Sequence, residues 1–331
     1  MKAKIDLIKK ITSGAASVIE KNGVYEFHRM TAAQEDVLRP KSDFYQKSLA
    51  SAGIRFEFET DASMVRFSGY FEPIFGRKLA FFDIVLNGAL IQHEGTFDFG
   101  ENPEFDITVK LNQKIRNHVV IYFPALAITC IESLEFVEAT TVEAVTGKFR
   151  IFCYGDSISQ GATAYHPSLS YTNLLADRLN AEICNKSVCG GIFDPEFAGQ
   201  PDVEKPQLIT VAYGTNDWKK TTIRELSDNA RGFFDNLNRN YPETPIVAIS
   251  PVWRKNMDGI QKAGTFQDVL ALLNQIYAEY NNITAVNGMK LTPHLSDFFE
   301  DGTLHPNDAG FLCYTRNLLK CPVFDKFKTG Q

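Results

Sequence analysis

Four short segments hold the residue types that acyl-transfer chemistry needs, and three of them close an apolar run. The run RIFCYG (150–155) leads into Asp156-Ser157-Ile158-Ser159-Gln160-Gly161. Gly155 lets the chain bend sharply, so that Ser157 can offer its hydroxyl to a cleft. The run AEICNKSV (181–188) ends in Cys189-Gly190-Gly191, where paired glycines allow a free backbone N–H to approach a ligand. LITVAYG (208–214) ends in Thr215-Asn216-Asp217, whose Asn amide needs partners and could donate to an oxyanion. Asp301-Gly302-Thr303-Leu304-His305-Pro306-Asn307 sets His305 on a loop before a final amphipathic segment, a place suited to acid–base work. Together they supply a nucleophile, oxyanion donors and a base. Each also has a purely structural reading: Asp156 and Ser157 as helix caps, Gly190-Gly191 as a turn, Asn216 as an Asx-turn, and His305 as a surface residue.

The elements that must position these residues differ between the two halves of the chain. From about residue 53 to 137 the apolar pattern has period two. Ile54, Phe56 and Phe58 alternate with Arg55, Glu57 and Glu59; Phe105, Ile107, Val109 and Leu111 alternate with Asp106, Thr108 and Lys110. Antiparallel strands with one face on a core and one in water read this way. Asn87-Gly88 between FFDIVL and ALIQ predicts a tight hairpin. Further strands are predicted at 63–71, 118–124 and 129–137. After a connector at 138–148, near-continuous apolar runs alternate with helical segments, and PIVAIS (245–250) and ITAV (283–286) continue the series. Ile223, Leu226, Ala230, Phe233, Phe234 and Leu237 share one helix face, with Thr222 and Glu225 as its capping box. Val269, Leu270, Leu273, Ile276, Tyr277 and Tyr280 form a second stripe, and Asn307 can cap a last helix. The β-α-β order predicts a doubly wound parallel sheet, whose ligands bind beyond the carboxyl ends of its strands.

Composition excludes several classes. The chain has 331 residues, 44% of them hydrophobic and 22% charged, which fits globular protein rather than disorder. No apolar run reaches the roughly 18 residues of a membrane span, and the N-terminus lacks the apolar core of a signal peptide. A net charge of −6 argues against nucleic acid as a partner. Six cysteines without a C-x-x-C pair read as free thiols in a reducing, cytoplasmic setting. There is no G-x-S-x-G, no P-loop, no G-x-G-x-x-G after the first run of the second half, and no His/Asp set at metal-binding spacing. No cofactor or metal is expected.

In their order and content the four segments resemble the SGNH hydrolases, the GDSL-type esterase and lipase family. Gly155-Asp156-Ser157 matches the first block, Asn185 through Gly190 the second, Gly214-Thr215-Asn216-Asp217 the third, and Asp301 through Asn307 the last. The resemblance implies a three-layer α/β/α, flavodoxin-like domain over residues 149–331. It implies Ser157 as nucleophile, His305 as base, and Ser157 N–H, Gly190 N–H and the Asn216 amide as the oxyanion hole. One departure concerns the acid. The family spacing puts it three residues before the base, where this chain has Gly302, and Asp301 stands four residues before. Either Asp301 reaches His305 through a longer loop, or a backbone carbonyl orients the imidazole; Glu300 and Asp297 are lesser candidates. Residues 1–148, with an N-terminal extension, are expected to form a jelly-roll-like β-sandwich, an architecture similar to carbohydrate esterase family 2. Trp253, after the fourth run, is a candidate for stacking on a sugar, and His166 for lining a pocket or lying at the surface. His294 is given no role. The expected activity is hydrolysis of short acyl esters, chiefly acetyl, on a carbohydrate or small molecule. The alternatives are a sugar-binding protein with a degenerate site, or a lysophospholipase, thioesterase or acyltransferase on the same residues.

Overall fold

A computed structural model describes residues 1–74, 76, 78–100, 103–112, 115–145 and 148–327. Two antiparallel sheets form the first half. One runs in the order Thr12–Ser13, Arg55–Thr60, Asn117–Tyr122, Ala80–Leu86, Ala89–Thr96; the other runs Ser17–Lys21, Val24–His28, Ala127–Val137, Met64–Pro73, Glu104–Lys110. Their inner faces share one core, in which Phe56, Phe58, Phe67, Phe82, Phe123 and Phe136 are buried and pack largely edge to face. The strands Ala80–Leu86 and Ala89–Thr96 meet at Asn87-Gly88, with φ of 51° and 85°, the two positive angles that a type I′ turn requires. The segment expected to be a connector is partly a strand. Val142–Ala144 pairs with Arg55–Thr60, while residues 146 and 147 lie outside the described residues.

The alternation in Arg55–Thr60 does not have the expected wet face. Ile54, Phe56 and Phe58 point into the sandwich, yet Arg55 and Glu57 are also buried. The reason is tertiary: the second half of the chain covers this face. Arg55 donates to Asp177 (2.9 Å) and to the Ala181 carbonyl (3.2 Å), and Glu57 pairs with Lys148.

The second half is a parallel sheet in the order Ala181–Asn185, Phe149–Gly155, Leu208–Ala212, Ile246–Ile249, Ile283–Val286. All five apolar runs are strands. Helices cover both faces, including Tyr171–Leu179, Ile223–Asn240, Phe266–Tyr277 and Asp308–Leu318. The Thr222/Glu225 capping box is formed, and Asn307 caps the last helix by accepting from Gly310 N–H. This strand order reverses direction between Phe149–Gly155 and Leu208–Ala212, so a crevice opens there at the carboxyl edge. Three helices lie in the first half where the sequence pattern shows none, Ile5–Ile11, Ala32–Leu38 and Ser42–Ser48. Ala32–Leu38, with a capping box of Thr31 and Gln34, and Ser42–Ser48 pack Leu38, Phe44 and Tyr45 onto the core of the parallel sheet. Among the described residues no helix is long and apolar enough to cross a membrane, and all six cysteines are free.

Candidate active site

The crevice at the strand reversal gathers three of the four segments, and the fourth closes over it. Phe149–Gly155 ends at Asp156, which caps the short helix Ser157–Gln160 by accepting from Ile158 N–H (3.0 Å). That cap holds Ser157 at the head of a one-turn helix, 9% exposed, where its own N–H lacks an intrahelical partner. Burial pushes the Asp156 carboxyl up to about 6, against the pull of Ile158 N–H and His305.

His305 reaches Ser157 from the far side. Its Nε2 lies 2.9 Å from Ser157 Oγ, and its Nδ1 lies 2.7 Å from Asp301 Oδ2. The extra residue before His305 is absorbed in the loop. Gly302 takes φ of +66°, a left-handed turn that a side chain would strain. The other Asp301 oxygen accepts the backbone N–H groups of Thr303, Leu304 and His305 at 2.8–3.1 Å. Partial burial raises the Asp301 carboxyl, but these bonds and His305 outweigh it and hold Asp301 well below the usual carboxylate range. A charged Asp301 fixes the Nδ1–H tautomer of His305 and leaves Nε2 to accept the serine proton. Of the three candidate acids it is Asp301 that meets His305 Nδ1; the Glu300 N–H donates to the His305 carbonyl (2.8 Å).

Gly190 and Asn216 stand opposite. Gly190 has φ of +79°, and its N–H has no acceptor among the described residues. Its carbonyl is turned away and accepts from Lys220 Nζ (2.6 Å). Asn216 Nδ2 donates to Gly191 O (3.1 Å) and Asp156 Oδ2 (3.3 Å), which aims the amide along the crevice floor. Asp217 is wholly buried and accepts from Phe193 N–H and Gly214 N–H, so it orders the turn that presents Asn216. Burial pushes its carboxyl up to about 7.

Trp253 is half-buried. Its ring stacks on His294 (5.6 Å between centroids) and meets Phe299 (5.0 Å), two residues before Asp301. It thus lines the outer side of the base loop. His166 is held by Asp308 (2.8 Å) rather than loose at the surface.

Three further residues brace the site. Gln160 accepts Cys189 N–H at 2.8 Å and donates to Ala125 O at 3.0 Å, fixing the loop that carries Gly190. Arg29, fully buried, donates to the carbonyls of Asn185 (2.6 Å), Ser187 (3.0 Å) and Ala50 (2.5 Å). Lys220 holds the Gly190 carbonyl. Only Gln160 had a local signal, its place one turn after Ser157.

Residues 153–311 match the GDSL-like Lipase/Acylhydrolase family. The chain carries a GDSL-like lipase/acylhydrolase domain. It is a hydrolase of ester bonds. No curated protein matches the sequence. Solved structures share the fold along almost the whole chain. A salicylyl-acyltransferase, SsfX3, from a tetracycline biosynthetic pathway is 20% identical, covers 95% of this chain and 94% of its own, and has a TM-score of 0.80. A GDSL-like lipase described from Bacteroides ovatus is 18% identical over 97% and 96%, with a TM-score of 0.76. A family two carbohydrate esterase from Clostridium thermocellum, solved with cellohexaose, is 14% identical over 84% and 93%, with a TM-score of 0.62. The GDSL domain and the β-rich domain before it therefore form an architecture that carbohydrate esterase family 2 also has.

Proposed function

We propose that this chain is a serine esterase removing short acyl groups, chiefly acetyl, from a saccharide or small-molecule ester in the cytoplasm. The observation that carries the reading is the continuous line of bonds from Asp301 through His305 to Ser157. Ser157 Oγ attacks the ester carbonyl while His305 Nε2 takes its proton. The tetrahedral oxyanion is held by Ser157 N–H, Gly190 N–H and Asn216 Nδ2, which gives up its long 3.3 Å bond to Asp156 Oδ2 to reach it. His305 then protonates the departing alcohol, and the acyl group stays on Ser157. Water, deprotonated by His305, releases the acid and restores the serine. Asp301 keeps the imidazole in the required tautomer and offsets its positive charge during both proton transfers. Trp253, beside the base loop, forms a wall for the alcohol portion. The reading keeps 149–331 as the catalytic unit and 1–148 as an accessory one. The 2.7 Å bond of Asp301 speaks against one of the two motives for a degenerate, sugar-binding site, the irregular spacing of the acid; the other, the β-rich domain, stands.

The test is turnover of 4-nitrophenyl acetate and labelling by a fluorophosphonate. Wild type is expected to do both, and Ser157→Ala neither, with its circular dichroism unchanged. A folded wild type that neither labels nor turns over ends the reading. A panel of acyl lengths reports the pocket: a short-acyl esterase rejects octanoate.

A second reading has one observation behind it, the whole-chain likeness to an acyltransferase. There the acyl-enzyme on Ser157 would be resolved by an alcohol in place of water. Adding alcohols to the acetate assay separates the two, because a transferase forms a new ester at the expense of free acid.

A further inference from the structure

A cluster outside the catalytic line joins the β-rich domain to the GDSL domain. Asp83 and His93 sit directly opposite each other on the hairpin strands Ala80–Leu86 and Ala89–Thr96. His166 comes from the loop that follows the Ser157–Gln160 helix. Its ring lies 4.2 Å from that of His93, centroid to centroid. One oxygen of Asp83 and one ring nitrogen from each histidine all lie within 4.8 Å of one another.

The hydrogen bonds decide what the two imidazoles can do. His93 Nδ1 bonds Asp83 Oδ1 at 2.7 Å, and His166 Nδ1 bonds Asp308 Oδ2 at 2.8 Å. His93 Nδ1 and Asp83 Oδ1 face each other inside the cluster, so an ion would sit between them in place of their hydrogen bond, whereas His166 is held at Nδ1 by a carboxylate outside the cluster, which favours Nδ1–H and leaves its Nε2 lone pair free to bind. Metal-binding histidines are commonly oriented by such a carboxylate. Asp83 is fully buried, and its second oxygen already accepts from Ser168 N–H (2.9 Å) and Ser168 Oγ (2.5 Å). A buried carboxylate beside two imidazoles favours a cation.

We propose that Asp83, His93 and His166 form a site for one divalent transition-metal ion of the zinc class, with Asp308 holding the His166 ring from behind. Two imidazole nitrogens and a carboxylate suit Zn²⁺, Co²⁺ or Ni²⁺ better than Ca²⁺ or Mg²⁺, which prefer oxygen. Ligand atoms around a tetrahedral zinc are about 3.3 Å apart, so the three groups must draw together by at most about 1.5 Å. Rotation about their side-chain bonds can supply that. The ion would clamp the sandwich hairpin to two parts of the active site. One is the loop after the Ser157 helix. The other is the start of helix Asp308–Leu318, three residues beyond His305. Its role is structural, and it takes no part in the acyl chemistry. The sequence pattern could not show it, because the ligands come from a hairpin and a loop far apart in the chain.

The experiment strips the full chain with EDTA and titrates it with zinc chloride, reading stoichiometry by calorimetry and elemental analysis and stability by thermal melting. One ion per chain and a higher melting midpoint are expected. His93→Gln and His166→Gln should each weaken binding at least 100-fold, and Asp308→Asn about tenfold, as for loss of a supporting hydrogen bond. Circular dichroism in EDTA checks that these variants fold. Cobalt(II) added to the stripped wild type should give the visible absorption of a nitrogen-ligated site, a readout that needs no variant. Sub-stoichiometric zinc, no cobalt spectrum, or zinc binding that survives both histidine substitutions would overturn the proposal.

Discussion

At the scale of single residues, the site divides into groups that touch the reacting atoms and groups that aim them, and the two classes fail differently when removed. In the proposed mechanism Asn216 is one of three oxyanion donors. Asn216→Ala should lower kcat by on the order of 100-fold and leave KM nearly unchanged, because the donor is engaged most strongly when charge develops on oxygen. Steady-state kinetics on 4-nitrophenyl acetate read this directly, and a loss confined to KM contradicts the assignment. Asp301→Asn keeps the shape but offers an amide where His305 Nδ1 needs an acceptor. Here the expected loss is in kcat and on the order of 10⁴-fold. That Ser157, Gly190, Asn216 and His305 meet at one crevice was legible because each sits in a short local motif. Asp301 was only half legible: whether an extra residue carries it toward His305 or away depends on the left-handed turn at Gly302 and three backbone N–H bonds. Arg29 was not legible at all, since its acceptors at Asn185 and Ser187 lie more than 150 residues away.

At the scale of elements, the strand-end turn Gly214-Thr215-Asn216-Asp217 stores a pH dependence. The folded state holds the Asp217 carboxyl at about 7 against an ordinary 3.8, through burial. Between those values the folded chain keeps a proton that the unfolded chain has lost, so a rise in pH through this window favours unfolding, and above it the penalty is constant. Asp156, at about 6, acts in the same sense over a narrower window. The urea midpoint of the wild type should therefore fall between pH 5 and pH 8 more than that of Asp217→Asn. Equal slopes for the two proteins would refute this. Long periodic elements were legible for a related reason. The helix Ile223–Asn240 buries Leu226, Ala230, Phe233, Phe234 and Leu237 as its pattern says, with Ile223 exposed at its start, and four of the five parallel strands are largely buried, while the edge strand Ile283–Val286 is only partly so. The helices Ala32–Leu38 and Ser42–Ser48 were missed because seven residues are too few to display a helical period, and tertiary packing stabilises them. The buried Arg55 and Glu57 were misjudged because alternation tells two faces of a strand apart without saying what covers the second.

At the scale of the whole molecule, the two halves are joined by buried polar groups, and that sets how the chain can be divided. Lys186 is completely buried, and its ammonium donates to Arg29 O (2.8 Å), Gln34 Oε1 (3.1 Å) and Asp202 Oδ1 (2.7 Å). Two of its three acceptors belong to the first half. Arg29 in turn satisfies the carbonyls of Asn185 and Ser187 on the strand end that leads to Gly190. A chain beginning at residue 149 would leave Lys186 with Asp202 alone and expose the surface now covered by Leu38, Phe44 and Tyr45. Such a fragment is expected to be insoluble or rapidly proteolysed, even though it holds every residue of the catalytic line. Arg29→Met in the full chain isolates the polar part of this argument. It keeps much of the side-chain volume, yet leaves at least three buried carbonyls without their donor. By the usual cost of orphaned buried groups, about 1–3 kcal/mol each with partial relaxation, unfolding free energy should drop by roughly 3–5 kcal/mol. Urea denaturation followed by tryptophan fluorescence measures it, since Trp218 is fully buried beside the crevice. The same variant should lower kcat, because the Gly190 turn loses its brace. If Arg29→Met retained wild-type stability and rate, or the 149–331 fragment were stable and active, the first half would be a passive appendage rather than part of the scaffold holding the oxyanion donors.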